Sequence, residues 1–304
     1  MTGVKPECEE RTVINGYTRT CGVFGNPVEH TMSPAIHNFL AEQTGQNLAY
    51  VPFHVETGQL EAAVKGAFAL NLLGVNVTVP YKSDVIPYLK DVDCLAAQIG
   101  AVNTLVRVEG GFKGYNTDMP GLYRAMCADG VTIEGEKVLI LGAGGVARAV
   151  AMLLAQKKAK EIILLNRTVE KAQAIADELN EAAKGSVARA ISIADFDTLS
   201  ADERYLAIQA TNVGMYPKVE ACVIESEAFY RRVHTGYDLI FNPLQTRFMQ
   251  LVKEQGGRAF NGLKMLLYQG IIAYELWTGC TVSEELARQT YGNMLAAMKE
   301  QRQE

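Results

Sequence analysis

The lysine that closes Asn76-Val-Thr-Val-Pro-Tyr-Lys82 is the residue of this chain best suited to moving a proton. Val75, Val77 and Val79 alternate as a strand does. Pro80 ends that strand, because proline cannot donate to a sheet ladder. Lys82 then follows at the carboxyl end, where open α/β sheets place their ligands. An amine there can exchange a proton once desolvation or a nearby cation lowers its pKa from ~10.4. Taken alone, such a lysine is more often a solvated surface charge. Asp118, in Gly114-Tyr-Asn-Thr-Asp118, could orient a substrate hydroxyl beside it. Asn116 and Asn103 (in Gly100-Ala-Val-Asn-Thr-Leu105) add hydrogen-bonding groups suited to a polyol, although Asn-Thr-Asp alone is commonly a turn or cap. A carboxylate raises the pKa of an amine it pairs with, so Lys82 and Asp118 are read as one coupled proton-handling unit.

Two further segments carry binding chemistry. Gly25-Asn-Pro is a turn, and Thr31 and Ser33 precede Pro34, which opens an apolar-periodic stretch through Ile36, Phe39 and Leu40. Proline favours the first helical position, so Ser33 is expected as N-cap. Its hydroxyl and that of Thr31 either satisfy helix amides or, with the helix dipole, hold a carboxylate. The second segment is an apolar strand, Val138-Leu-Ile-Leu141, followed by Gly142-Ala143-Gly144-Gly145-Val146-Ala147 and a helical pattern through Val150, Leu153 and Leu154. Gly142-x-Gly144-x-x-Ala147 fits the dinucleotide fingerprint with alanine at the third small position.

The next strand ends in Asn166-Arg167-Thr168, with Asn166 standing 24 residues after Gly142. NAD-preferring folds put a carboxylate at this point for the ribose hydroxyls. Here Asn166 is uncharged, Arg167 can fork onto a 2′-phosphate, Thr168 adds a hydroxyl and Lys171 lies one turn on. Cations are unfavourable at a helix start unless an anion joins them, which points to NADP.

Taken in order, Gly25–Asn38, Asn76–Lys82, Ala101–Leu105, Tyr115–Asp118, Gly142–Ala149 and Asn166–Thr168 resemble the shikimate dehydrogenase family over about residues 13 to 290. The resemblance implies NADP-dependent, reversible reduction of 3-dehydroshikimate to shikimate in aromatic amino-acid biosynthesis, with Lys82 and Asp118 as catalytic residues. It implies that Thr31 and Ser33 hold the ring carboxylate. Asn103, Asp118 and Gln269 would bind ring hydroxyls, with Thr78 and Thr117 as second contacts. The segment Asn166, Arg167, Thr168 and Lys171 matches the family's NADP clamp. Three positions depart from the pattern: Thr31 where serine is usual, Phe241 where many members carry tyrosine, and Met119 where glycine is common. These departures could relax discrimination between shikimate and quinate. A quinate/shikimate dehydrogenase of the same fold is therefore the alternative within the class, and a catalytically silent NADP-binding sensor the alternative outside it.

The 304 residues, 48% of them apolar, suffice for two domains. A net charge of −5 without a dominant basic patch argues against nucleic acid. Six scattered cysteines without a C-x-x-C pair read as reduced thiols of a cytoplasmic protein. The four histidines lack ligand spacing, so no metal is expected, and His30 and His37 are read as structural. The polar amino terminus excludes a secretory signal, residues 1 to about 11 read as a loose tail, and no apolar run is long enough to span a membrane. A monomer or homodimer acting on a small molecule is expected.

These residues need elements to position them. Strands and helices alternate from Val13 to Arg107, and a helix from Met119 leads into a regular series. That series is strand 137–141, helix 145–157, strand 161–165, helix 168–182, then strands 186–192, 205–210 and 237–241. The second part is a doubly wound Rossmann unit. An amphipathic C-terminal helix through Leu263, Leu267, Ile271 and Tyr274 is expected to return to the first domain, as it does in the family. The α/β chain thus divides into a discontinuous substrate domain, 12–118 with 259–304, and an NADP-binding domain, 119–258, with the site in the cleft.

Overall fold

The computed structural model describes residues 14–300, so the expected amino-terminal tail lies outside the described residues. The chain divides into two compact units, with boundaries between Thr117 and Asp118 and between Gln269 and Gly270.

The first unit contains β1 (Arg19–Gly25), α1 (Ser33–Gln43), β2 (Leu48–His54), α2 (Leu60–Ala69), β3 (Gly74–Val77), β4 (Asp91–Val92), α3 (Cys94–Ile99), β5 (Thr104–Val108) and β6 (Gly111–Tyr115). Its sheet runs β2-β1-β3-β5-β6-β4. β1 pairs parallel with β2 and β3, whereas β3–β5 and β5–β6 are antiparallel. Phe24, Val75, Val77, Leu105 and Phe112 join Val64 and Val85 in one buried cluster. Buried parallel strands need apolar residues on both faces, which explains the near-continuous runs of β1 and β3. Two expectations are corrected here. β3 stops at Val77, not at Pro80, because Thr78 makes the last tie to β1 (its N–H to Phe24 O, 2.9 Å) and Val79-Pro80 then form a turn closed by Tyr81 N to Thr78 O (2.9 Å). The strand expected from Ala101 begins at Thr104, since Gly100 turns the chain out of α3 and Val102 gives its N–H to Lys82 O instead of a strand partner, and its hairpin partner β6 carries too many glycines to read as a strand.

The second unit contains α4 (Asp118–Ala128), β7 (Lys137–Leu141), α5 (Gly145–Gln156), β8 (Glu161–Asn166), α6 (Val169–Ala183), β9 (Ala188–Ser192), β10 (Tyr205–Gln209), α7 (Glu227–Tyr230), β11 (Val233–Asp238), α8 (Arg247–Glu254) and β12 (Arg258–Phe260). Its sheet order is β12-β11-β10-β7-β8-β9, every pairing parallel. This is the doubly wound dinucleotide-binding order, whose switch point lies between β7 and β10. The strand expected at 237–241 is instead β11, four residues earlier. Asp238 ends it by accepting from Ile240 N (3.0 Å), which bends the chain. Gly236 lets α8 close on β11: a Cβ there would sit 2.8 Å from Val252 Cγ2.

α9 (Leu263–Thr278) and α10 (Glu284–Glu300) complete the chain, so the C-terminal segment is two helices rather than one. The second unit boundary falls inside α9. Residues from Gly270 onward group with the first unit, where Trp277 donates Nε1–H to Leu105 O at 2.9 Å.

Candidate active site

In the first unit the loop after β3 is tied down at every step. The buried Tyr81 ring donates its hydroxyl to Val55 O (2.6 Å), and Ser83 Oγ donates to Gly100 O (3.1 Å). Between them, Lys82 O accepts from Val102 N at 2.7 Å. Gly100 makes this possible, because it ends α3 with φ +74°, a left-handed conformation that glycine adopts without steric cost. The half-buried Lys82 is thereby stitched to the loop that carries Asn103.

Asn103 is held in turn. Its side-chain Oδ1 accepts from Thr117 N (2.8 Å), Thr117 Oγ1 (3.2 Å) and Thr104 Oγ1 (3.1 Å). Behind it, Asn76 Nδ2 donates to Asn103 O (3.2 Å) and Thr104 Oγ1 (3.1 Å), while Tyr50 donates its hydroxyl to Asn76 Oδ1 (2.7 Å). Burial holds the Tyr50 phenol well above its ordinary pKa, so it remains a donor. The unit's own hydrogen bonds thus gather Lys82, Asn103 and Thr117. Asp118 follows Thr117 directly and opens α4, half-buried. Asn116, the other amide suited to a polyol, donates to Ala101 O (3.0 Å) and braces the same loop. Asn76 and Tyr50 were not singled out from sequence as holding groups, since an amide inside an apolar strand looks like a lapse in the pattern.

Ser33 is not the N-cap of α1. It is the first helical residue, Met32 occupies the cap without a capping side chain, and Thr31 Oγ1 accepts from Ser33 N (3.3 Å). Pro34, at the second helical position, has no N–H to satisfy, which lowers the need for a cap. Thr31 and Ser33 instead bond to each other, Thr31 Oγ1 to Ser33 Oγ at 3.2 Å. Two hydroxyls therefore sit together at the helix start. Thr78 packs against Gly25, where a Cβ would come within 2.6 Å of Thr78 Cγ2. One turn into α1, His37 is fully buried, stacked on Tyr50 (4.3 Å), and neither ring nitrogen has a hydrogen-bond partner. Burial pulls its pKa down to about 3, with Asn76 acting weakly the other way, so the ring is neutral and structural.

In the second unit, Gln269 is 8% exposed and donates Nε2–H to Leu266 O (2.9 Å) of its own helix. Gly121 brings α4 against it, because a Cβ there would lie 2.7 Å from Gln269 N. The first turn of α4, which carries Asp118, is therefore next to Gln269.

A cavity of about 590 Å³ lies at the switch point of the second sheet. Gly142, Ala143 and Gly144 line one side, Asn166, Arg167, Thr168 and Lys171 another. Gly142 has φ +116°, and a Cβ would approach Thr211 Cγ2 to 2.8 Å and Ala210 O to 3.2 Å. Around Gly144 and Gly145 the space is open. Asn166 donates Nδ2–H to Thr168 O (2.8 Å), turning its amide into its own loop. The lining holds two cations and no carboxylate, and neither Arg167 nor Lys171 forms an ion pair among the described residues. These features fit a dinucleotide with an additional phosphate and oppose one whose ribose needs a carboxylate. Gly145, Val146 and Ala147 do not line the cavity. Ala147 is fully buried and permits close packing of helix on strand. The opposite wall, Ala210–Val213 with Ile193, Cys222 and Val223, was missed from sequence. The rule that ligands gather beyond the carboxyl ends of parallel strands would have found it after β10.

Among the described residues, no helix is long and apolar enough to cross a membrane, and no cluster of potential metal ligands occurs.

The second unit is thus a doubly wound dinucleotide fold with a phosphate-binding cavity, and the first presents a lysine, an amide and hydroxyls at strand ends. That combination defines a two-domain dinucleotide-dependent oxidoreductase. Family models for the shikimate dehydrogenase substrate binding domain, shikimate / quinate 5-dehydrogenase and the shikimate 5'-dehydrogenase C-terminal domain match residues 23–105, 126–210 and 262–290 in turn. A shikimate dehydrogenase (NADP(+)) of Desulforamulus reducens is 42% identical over 284 residues, 93% of this chain and 98% of that one. A solved shikimate dehydrogenase in complex with NADP+ superposes with a TM-score of 0.82 at 37% identity, covering 92% of this chain and 96% of that one. The Thermus thermophilus enzyme, solved with NADP(H) and shikimate, gives 0.79 at 33% identity over 91% of this chain and 100% of that one. The chain belongs to the shikimate dehydrogenase family.

Proposed function

We propose that the chain interconverts 3-dehydroshikimate and shikimate with NADP, a step of aromatic amino-acid biosynthesis. The observation that carries this reading is the hydrogen-bonded gathering of Lys82, Asn103 and Thr117 at the strand ends of the first unit, in a chain whose second unit holds a cation-lined dinucleotide cavity.

When bound, NADP supplies the hydride acceptor. Lys82 takes the proton of the reacting ring hydroxyl as hydride departs, and returns it to the carbonyl oxygen in the reverse direction. Asp118 orients the neighbouring hydroxyl. Asn103 binds ring hydroxyls with its NH₂, because its Oδ1 is already committed to three donors. Thr117 sets that amide, and Gln269 and Thr78 complete the ring's contacts. Thr31 and Ser33 hold the carboxylate, helped by the positive end of α1. Gly142 to Ala147 form the pyrophosphate turn, and Arg167, Thr168 and Lys171, with Asn166, receive the 2′-phosphate. The substrate and NADP domains are 12–118 with 259–304 and 119–258. The protein works in the cytoplasm as a monomer or homodimer, without nucleic acid or membrane.

The test is a set of initial rates with shikimate and quinate, each with NADP and with NAD. The highest kcat/KM is expected for shikimate with NADP. A preference for quinate with NAD would overturn the assignment in favour of the quinate/shikimate branch, to which the missing hydroxyl at Phe241 could lend itself. Tight NADP binding without change in nicotinamide absorbance for either substrate would instead identify a sensor.

A further inference from the structure

Gln209 ends β10 in the second unit, 1% exposed, although packing in a parallel sheet asks for no amide there. Every polar atom of its side chain is spent on the loop that follows. Oε1 accepts from both Thr211 N and Thr211 Oγ1 at 2.7 Å, and Nε2 donates to Val213 O at 3.0 Å. Thr211 Oγ1 also accepts from Val213 N at 3.1 Å. Four bonds within five residues fold Ala210–Val213 into the wall that faces the glycine turn. That wall has little freedom: Thr211 Cγ2 and Ala210 O stand where a side chain on Gly142 would have to be. Shifting the loop inward would close the cavity on the glycine turn, and shifting it outward would remove its contact surface.

We propose that Gln209 is a positioning residue for the dinucleotide, setting the Ala210–Val213 wall against Gly142 through one accepting and one donating end of a single buried amide. The proposal rests on the NADP reading above. It differs from a generic buried polar contact in requiring both ends. Glutamate is nearly isosteric and would keep both bonds from Thr211. Its second oxygen, however, would face the Val213 carbonyl, acceptor against acceptor. Protonating that carboxyl would restore a donor. A buried carboxyl titrates above its ordinary range, so the defect of Gln209→Glu should be repaired on acidification. NADP itself loses phosphate charge on acidification, so wild-type binding should move the opposite way.

The experiment is calorimetric titration of NADP into wild type, Gln209→Glu, Gln209→Leu, Thr211→Val and the double variant Gln209→Leu/Thr211→Val, with substrate absent. At about pH 8, Gln209→Glu and Gln209→Leu should each raise the Kd about 5- to 30-fold, as one or two lost buried hydrogen bonds do. As the pH is lowered to about 6, the Gln209→Glu to wild-type ratio should shrink, while the Gln209→Leu ratio stays flat. The Thr211→Val variant removes only an exchangeable hydroxyl on a partly exposed loop, and it is expected to fold even if Gln209 variants do not. Its Kd should rise a few-fold, and in the double variant it should add less to Gln209→Leu than it costs alone, because one of the two bonds of its hydroxyl goes to the missing amide while the other, from Val213 N, remains. An unchanged Kd in Thr211→Val, additive effects in the double variant, or a Gln209→Glu ratio independent of pH would each overturn the proposal. A wild type that takes up no NADP in the same titration would instead refute the cofactor reading itself.

Discussion

Replacing Arg167 with alanine should convert cofactor preference into near-indifference. The residue lines the cavity with Lys171 and makes no ion pair among the described residues. Other basic residues of the same unit are committed: Arg148 to Glu178 (Nε–Oε2 2.7 Å) and Arg189 to Glu161 (2.8 Å). A guanidinium forked onto a phosphate makes charge-assisted hydrogen bonds of about 1.5–3 kcal/mol each. Arg167 is solvent-exposed, so screening reduces the two together to about 2–3 kcal/mol. At ~1.4 kcal/mol per decade, kcat/KM for NADP should fall about 30- to 150-fold. NAD has no 2′-phosphate, and its kcat/KM should stay within about 2-fold. Lys171, a point charge one turn further on, should cost less, about 3- to 5-fold for NADP. The assay is initial-rate oxidation of shikimate by each cofactor at fixed ionic strength. The wild-type preference for NADP should also weaken as salt is raised, since the contact is exposed. An equal loss with NADP and NAD, or none with either, would refute the phosphate clamp.

Three further outcomes are expected. Lys82→Ala should lower kcat about 10²-fold or more with NADP affinity retained, read by steady-state rates beside calorimetry; an unaltered kcat would remove Lys82 from the chemistry. Gly74→Ala would drive a Cβ into Trp277 Nε1, which holds Leu105 O, and should destabilise the protein by about 1–3 kcal/mol or more in thermal melts; an unchanged melting temperature would show that the ring has room to yield. His37 has its pKa lowered from 6.5 to about 3 in the folded state, so its contribution is complete above pH 6.5 and declines as the pH falls towards 3, where the unfolded chain takes up the proton first. The slope should be about 1.4 kcal/mol per pH unit in that window, and urea titrations of His37→Phe should be flatter there; an identical slope would place the titration elsewhere.

Much of the site was legible because its signals are local. Gly142, Arg167 and Lys82 each follow an apolar strand within a few residues, and periodicity marks the strand. Elements masked by composition were less legible. β6 carries two glycines in five residues, and β11 carries a histidine and a threonine after its first valine and holds Gly236, whose missing side chain admits α8. Ser33 read as a cap because residue preference does not distinguish a cap from the first helical position when proline follows.

By itself, the order of residues determined the alternation of elements, the glycine turn after β7, the uncharged end of β8 and the ordered motifs that mark the family. Those depend on contacts within a turn or a strand, where residue type dictates backbone shape. Tertiary structure alone decided that β10 lies beside β7, so that Ala210–Val213 becomes a cavity wall. It alone decided that Tyr50, Asn76 and Thr104 stand behind Asn103 and fix its amide. Strand pairing joins residues some seventy positions apart, and a buried hydrogen bond is specified by its partner's position in space, which no local pattern records.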